Sequence, residues 1–316
     1  MNRTRRILVS TLIIAFVISG CGINSATPTA APPPTAAPTA TTKARNTVIV
    51  LGEISDEPSK KIERLQPLTD YVGKRLDKVG ITSAQIKIAP NLETMSRWLK
   101  SGEVDIYFDS PYPAMLVNAQ SDALPILRRW RRGEAEYYAV IFARNDSGVN
   151  TLNDLKGKTI GLQDAGSTSG YLLPLSLLVK GGLKAVELKS AEISAPADHV
   201  GYVFTNDDDN TIQWVISKKV AAGAVDIRSY SKISADGRSK MIVLGESEKV
   251  PRQVVMVRPN MDKATQEMIY SLFTEMEKSS EGQIALKAFD ETTRFDALPV
   301  GTLERMKELY TLVTNR

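Results

Sequence analysis

One motif occurs twice, and this repetition constrains the fold more than any other feature of the chain. Trp98-Leu99-Lys100-Ser101-Gly102-Glu103-Val104-Asp105-Ile106 and Val220-Ala221-Ala222-Gly223-Ala224-Val225-Asp226-Ile227 share one plan. Each reads as a helix end, a Gly-X-Val-Asp turn and a strand. Ligands of open α/β sheets bind beyond the carboxyl ends of the strands. Two similar units with those ends facing each other describe a hinged, ligand-enclosing cleft. A coincidence in a common αβ turn is the plainer alternative.

The surrounding pattern supports two lobes. Thr47–Gly52, Gln85–Ala89, Val104–Phe108, Tyr137–Ala143, Met241–Leu244 and Gln253–Val257 are short apolar runs that read as strands. Between and after them, Lys60–Lys78, Leu92–Lys100, Pro111–Gln120, Thr211–Ala222, Lys263–Lys278 and Leu303–Val313 read as helices. This alternation predicts an α/β fold with largely parallel sheets and right-handed connections. The body beginning near Asn46 is long for one core and short for three, so two lobes fit it best. Residues 46–138 with 252–316 form the first lobe in this reading, and residues 139–251 the second. Crossings near Glu136–Arg144 and Val250–Pro259 form the hinge.

The amino terminus reads as an address. Arg3, Arg5 and Arg6 precede the apolar run Ile7–Ile18, and Ile18-Ser19-Gly20-Cys21 follows. A basic segment, a short apolar run and small residues make a secretory signal over residues 1–20. A Cys directly after the small pair resembles a bacterial lipobox, which assigns Cys21 to lipidation and the chain to the outer face of a cell membrane. An uncleaved anchor helix is the alternative. Residues 21–45 form a semi-rigid spacer, almost all Ala, Thr and Pro from Asn24 to Thr42. The chain has 40 Lys and Arg against 36 Asp and Glu; losing Arg3, Arg5 and Arg6 with the signal leaves 37 against 36. So neutral a surface carries no footprint for nucleic acid. Arg128-Arg129-Trp130-Arg131-Arg132 is the one basic run, and it reads as a solvated loop or helix end.

The richest local chemistry lies at Asp164-Ala165-Gly166-Ser167-Thr168-Ser169-Gly170-Tyr171. It follows the strand Lys158–Leu162 and precedes a helix starting at Leu172. Small hydroxyl residues there place Oγ atoms and free helical N–H groups around a single point, which suits an oxyanion. The same residues also suit an ordinary Ser-capped turn.

In these elements the chain resembles the substrate-binding proteins of phosphate, phosphite and phosphonate ABC transporters, the PhnD-like branch of the type II periplasmic binding proteins. The resemblance covers about Thr47 to Phe289. It is carried by Gly102–Phe108, Ser110-Pro111-Tyr112-Pro113-Ala114, Leu152–Lys158, Gly166–Tyr171 with Pro174, and Gly223–Asp226. It implies a two-lobe fold that closes on a phosphorus oxyanion and delivers it to a permease and its ATPase, with no cofactor and as a monomer. By motif match Ser167, Thr168 and Ser169 hold the anion. Tyr112 lines the cleft from the other lobe, although a packed core Tyr fits equally. Asp226 accepts from a protonated ligand oxygen or orients a donor; a simple cap is the alternative, and Asp105 looks like that case. Asp56 and Glu57 occupy the first ligand loop.

One position departs from the family pattern. Members commonly carry a His about ten residues before the Gly of the Gly-X-Val-Asp element, where this chain has Gln213. Gln is a neutral donor where imidazolium would be charged. The acidic run Asp207-Asp208-Asp209 nearby reads as a solvated loop. An enzyme on the same fold finds little support. The only Cys is Cys21, the only His is His199, and no zinc cluster, phosphate-binding loop or dinucleotide fingerprint is present. A lipid-anchored sensory module for a different small ligand is the remaining alternative, and it needs a separate output partner.

Overall fold

The computed structural model describes residues 47–315; the signal, the spacer and Cys21 lie outside them. In the first lobe β1 (Val48–Ile54), α1 (Pro58–Gly73), β2 (Ser83–Ala89), α2 (Leu92–Ser101), β3 (Ile106–Asp109), α3 (Pro111–Ser121) and β4 (Leu124–Arg131) follow in order. After β5 (Glu136–Tyr137) the second lobe holds β6 (Ala139–Arg144), β7 (Thr159–Leu162), α4 (Leu173–Lys180), β8 (Lys184–Glu187) and β9 (His199–Phe204). It continues through α5 (Asp208–Ile216), β10 (Ala222–Asp226), α6 (Ile227–Lys232), α7 (Ala235–Ser239) and β11 (Met241–Glu246). The chain returns by β12 (Val250–Pro251) to β13 (Gln253–Val257), α8 (Lys263–Glu275), α9 (Ser280–Ala288), β14 (Thr292–Ala297) and α10 (Thr302–Thr314).

Two six-stranded sheets result, in the orders β14-β4-β13-β3-β1-β2 and β11-β6-β10-β7-β9-β8. The antiparallel pair β5–β12 joins them. The sheets are mixed rather than largely parallel. β1 runs parallel to β2 and β3, and β7 to β9 and β10, as βαβ units must. Yet β13 is antiparallel to β3, and β6 to β10. Both enter from the other lobe, so they start at the end where the parallel strands finish. The basic run is also corrected. Arg128–Arg131 belong to β4, and Arg129 is 1% exposed.

Local signals account for the helix ends. The Asn91 side chain accepts from Thr94 N at 2.9 Å to start α2, and Gly102 ends it at φ +79°. The Gly takes the left-handed conformation without a Cβ penalty and so reverses the chain into β3. The helix read over Lys60–Lys78 ends earlier, at Gly73, where a Cβ would meet Ala84 N at 2.9 Å. Thr211–Ala222 also ends early, at Ile216, because Ala222 already pairs with Ala143 in β6. Ile49, Leu65, Phe108, Phe273 and Phe289 pack one core of the first lobe; Ile160, Leu178, Val200 and Ala224 pack one of the second. α10 lies against both α3 and α4, with Met306 and Leu309 buried beside Met115 and Leu173.

Candidate functional site

The strand ends that face across the ribbon enclose a cavity of about 790 Å3. Ser55 and Asp56 after β1, Asn91 after β2, and Asp109 with Ser110 after β3 line it from one lobe. Gln163 and Asp164 after β7, Asn206 after β9 and Asp226 at the end of β10 line it from the other. Its floor is the joining region, with Arg131, Tyr137, Arg252 and Gln253.

The cradle is built by the turn after β7. Asp164 Oδ1 accepts from Gly166 N at 2.7 Å, and Ser167 N donates to Asp164 O at 3.1 Å. Ser167 Oγ accepts from Gly170 N at 2.9 Å and donates to Gln163 Oε1 at 2.9 Å. Thr168–Leu172 then form one wide π turn that runs straight into α4. A π turn leaves extra backbone donors at a helix start and is frequent at functional sites. Gly170 is required by close approach, since a Cβ there would lie 2.4 Å from Gln163 Cβ and 2.8 Å from its Oε1. Gly170→Ala therefore pushes Gln163 and Ser167 apart, and it should weaken oxyanion binding by about tenfold or more with a modest loss of melting temperature. Wild-type affinity in that variant would show that the cradle is not needed in this shape.

Of the residues expected to bind, Ser167, Ser169, Asp226 and Asp56 all line the cavity. Thr168, Tyr112 and Gln213 do not. Thr168 is 1% exposed; its Oγ1 donates to Ser110 Oγ at 2.9 Å and accepts from Tyr112 N at 3.1 Å. Its one donor proton is thus spent on joining the lobes. The Tyr112 ring packs between Tyr171 and Tyr310, with centroids 6.4 and 5.9 Å away, and burial pushes its hydroxyl pKa up. It contributes its N–H to the lobe contact rather than its ring to the cavity. Gln213 is exposed on α5. Glu57 is exposed and paired with Lys60 at 2.7 Å.

Asp226 lies where β10 hands over to α6, not where a helix hands over to a strand. Its Oδ1 caps α6 by accepting from Ser229 N at 2.8 Å, and its Oδ2 meets Arg252 Nη2 at 3.1 Å. Asp105 is structural, bonded to Val50 N and Arg258 Nε. The acidic run is not a solvated loop. Asp207 caps α5 through Asn210 N, and Asp208 turns into the cavity wall, with Ser229 Oγ donating to it at 2.6 Å. Carboxylates at a helix start are favoured by its dipole.

Burial is the main cause that lifts the Asp208 carboxyl to about 6, with Asp226 adding to the rise and the Ser229 bond opposing it. A carboxyl whose folded pKa lies above its unfolded value binds more protons when folded, so stability falls as pH rises between about 4 and 6. Asp208→Asn should therefore stabilise the ligand-free chain at pH 7, by up to about 3 kcal/mol, and hardly change it at pH 4. Equal melting shifts at both pH values would contradict this.

The sequence reading missed Arg131, Tyr137, Gln163, Asp208 and Arg252. Arg131 was hidden in the basic run, although the apolar stretch Leu124-Pro125-Ile126-Leu127 before it could have marked a strand. The Tyr137 hydroxyl lies against the Thr168 and Ser169 hydroxyls, and its ring carries the Arg252 guanidinium at 4.2 Å.

Comparison with known proteins gives the family. The family model described as ABC transporter, phosphonate, periplasmic substrate-binding protein matches residues 51–299. The phosphonates-binding periplasmic protein of Escherichia coli K12 is 23% identical over 282 residues, which is 84% of this chain and 78% of that protein. XAC2383 from Xanthomonas citri, solved with ATP, superposes with a TM-score of 0.78 at 32% identity, covering 85% of this chain and 98% of the other. PhnD1 from Prochlorococcus marinus, in complex with methylphosphonate, shares the fold at a TM-score of 0.63 and 16% identity, over 83% and 97% of the two chains.

Proposed function

Because this chain belongs to the family of periplasmic substrate-binding proteins of phosphonate ABC transporters, we propose that it captures a phosphorus oxyanion between its lobes and hands it to the permease. The family consists of binding proteins, not enzymes. The cargo class in this reading is phosphonate, phosphite or phosphate. The observation that carries it is the Ser167-Thr168-Ser169 turn. Two of its hydroxyl residues border the cavity at the start of a helical segment, where backbone donors converge. A tetrahedral oxyanion needs several short, aimed donors, and charge-assisted bonds of this type are about twice as strong as neutral ones.

Closure follows from where the donors sit. Ser167 and Ser169 belong to one lobe, and Ser55 and Ser110 to the other. A ligand touching both stabilises the closed arrangement by its differential affinity for it. The Thr168 contacts to Ser110 and Tyr112 latch that arrangement, and lipidation of Cys21 holds the body at the membrane. Small-angle scattering should show a smaller radius of gyration when the binding anion is added to ligand-free chain. Binding heat with no change of radius would rule out closure. Thr168→Ala should leave the fold intact and widen the ligand-free distribution of radii.

A further inference from the structure

Resting on the reading above, we propose that Arg131 and Arg252 together supply the cationic contact for the bound oxyanion, the role left open by Gln213. Gln213 is on the exposed face of α5 and has no part in the cavity wall. Among the residues that line the cavity, Arg131 and Arg252 are the two cations. Both sit in the floor where the lobes join. One is the last residue of β4, and the other lies between β12 and β13.

Three observations bear on their availability. First, their carboxylate partners leave charge over. Asp290 serves Arg131 at 3.6 Å, but it also serves Arg64 at 2.7 Å and Arg129 at 3.3 Å. One carboxylate shared by three guanidiniums leaves Arg131, the most distant, the least compensated. Arg252 is better paired, with Asp226 at 3.1 Å and Glu134 at 3.9 Å. Second, the two arginines repel each other. Burial is the main cause that lowers the Arg131 pKa, and the charge of Arg252 lowers it further. An anion between two like charges relieves that repulsion and is itself held by forked donors. Third, the pair adjoins the cradle. Arg252 stacks on the Tyr137 ring, whose hydroxyl meets Thr168 and Ser169.

The carboxylates on the cavity wall oppose any anion, and they must be weighed. Asp56, Asp109, Asp164, Asp208 and Asp226 line it. Asp226 is paired with Arg252, so Arg131 brings the larger uncompensated charge and Arg252 chiefly its free N–H donors. Burial raises the carboxyl pKa values of Asp109, Asp164 and Asp208, but Asp208, at about 6, is ionised above neutral pH and opposes the anion there. Asp56, on the rim, is exposed and screened by water. The floor is therefore the cationic end of the cleft, and the arginine pair lets it take a doubly charged oxyanion.

The test uses the whole processed chain, stripped of bound ligand, and calorimetric titration with methylphosphonate from pH 5 to pH 9. The wild type should tighten as the ligand takes its second charge. Arg131→Gln should weaken binding by about 10- to 100-fold at high pH and flatten that gain. Arg131→Lys should keep much of the gain, because it retains the charge and loses only the fork. If Arg131→Gln fails to fold, Arg252→Gln takes its place, with the same weakening and flattening expected and wild-type behaviour overturning the inference. Folded Arg131→Gln and Arg252→Gln with wild-type affinity and a wild-type pH profile would overturn the inference alone. Loss of affinity that is equal at every pH would assign Arg131 a packing role and overturn it too. Silence of the wild type towards methylphosphonate, phosphate and phosphite alike would overturn the functional reading beneath it, and this inference with it.

Discussion

Replacing Ser167 and Ser169 together by alanine should weaken phosphorus-anion binding by at least about 100-fold while the chain stays folded. A hydroxyl that donates to an ionised oxygen contributes about 1.5–3 kcal/mol, and 1.4 kcal/mol is a factor of ten in affinity; Ser167 does so by turning its proton from Gln163 Oε1 to the anion. Ser167 has a second task, since its Oγ accepts from Gly170 N and orders the turn. Alanine there frees that N–H and also loosens the remaining donors. The loss of stability should be limited to about the value of a missing cap, near 1 kcal/mol. Calorimetry and a urea melt on the same sample separate the two effects. Retained affinity in a folded double variant would remove the Ser-Thr-Ser turn from the binding site. A chain that no longer folds would mean that the turn is chiefly structural.

The largest effect on stability should come from Arg129→Ala. Arg129 is 1% exposed and is bonded on all sides. Its Nε donates to Thr292 Oγ1 at 2.7 Å, Nη1 to Gln253 Oε1 at 3.1 Å and Nη2 to Phe289 O at 2.9 Å, and its Cζ lies 3.6 Å from the Phe289 ring centre. Burial draws its pKa down to about 10, against the pull of Glu53 and Asp290. Removing one partner of a buried ionic network costs about 3–5 kcal/mol, because three buried acceptors lose a charged donor and the side chain's volume is left empty. Arg129→Met fills the same space and leaves Asp290 with Arg64 and Arg131, so it should cost clearly less than the alanine. Urea unfolding of both variants checks the order. Near-wild-type stability of Arg129→Ala would show that water replaces the guanidinium.

Arg129 and the Ser-Thr-Ser turn also show where sequence reading stops. The strand-turn-helix at Asp164–Pro174 was legible because its signals are local: glycines, hydroxyl residues and an apolar run within a dozen positions. The paired Gly-X-Val-Asp elements were only half legible: Gly102–Asp105 is the helix end and turn that were read, but Gly223–Asp226 is itself strand β10, so Asp226 ends a strand at the cavity while Asp105 stands before the start of β3. Arg129 was not, because Thr292 lies 163 residues away. Nothing near Arg128–Arg132 announces that partner, so a basic run looks solvated. The antiparallel strands β6 and β13 escaped similarly. Each is an ordinary apolar run, and its direction depends on the chain crossing between lobes. Tyr112 and Thr168 were read as facing a ligand, and the structure brings Tyr112 N to Thr168 Oγ1, a contact across 56 positions. Gln213 was placed by counting back from Gly223, but the helical rotation of α5 leaves it exposed.

The most direct test of the account is calorimetric titration of the processed, ligand-stripped chain with phosphate, phosphite, methylphosphonate and 2-aminoethylphosphonate. Submicromolar binding of at least one, abolished by the Ser167→Ala/Ser169→Ala pair, is the result expected. Silence towards all four, on protein shown to be folded and empty, would mean that the scaffold holds a different ligand and that the cradle at Ser167–Ser169 is not a phosphorus-anion site.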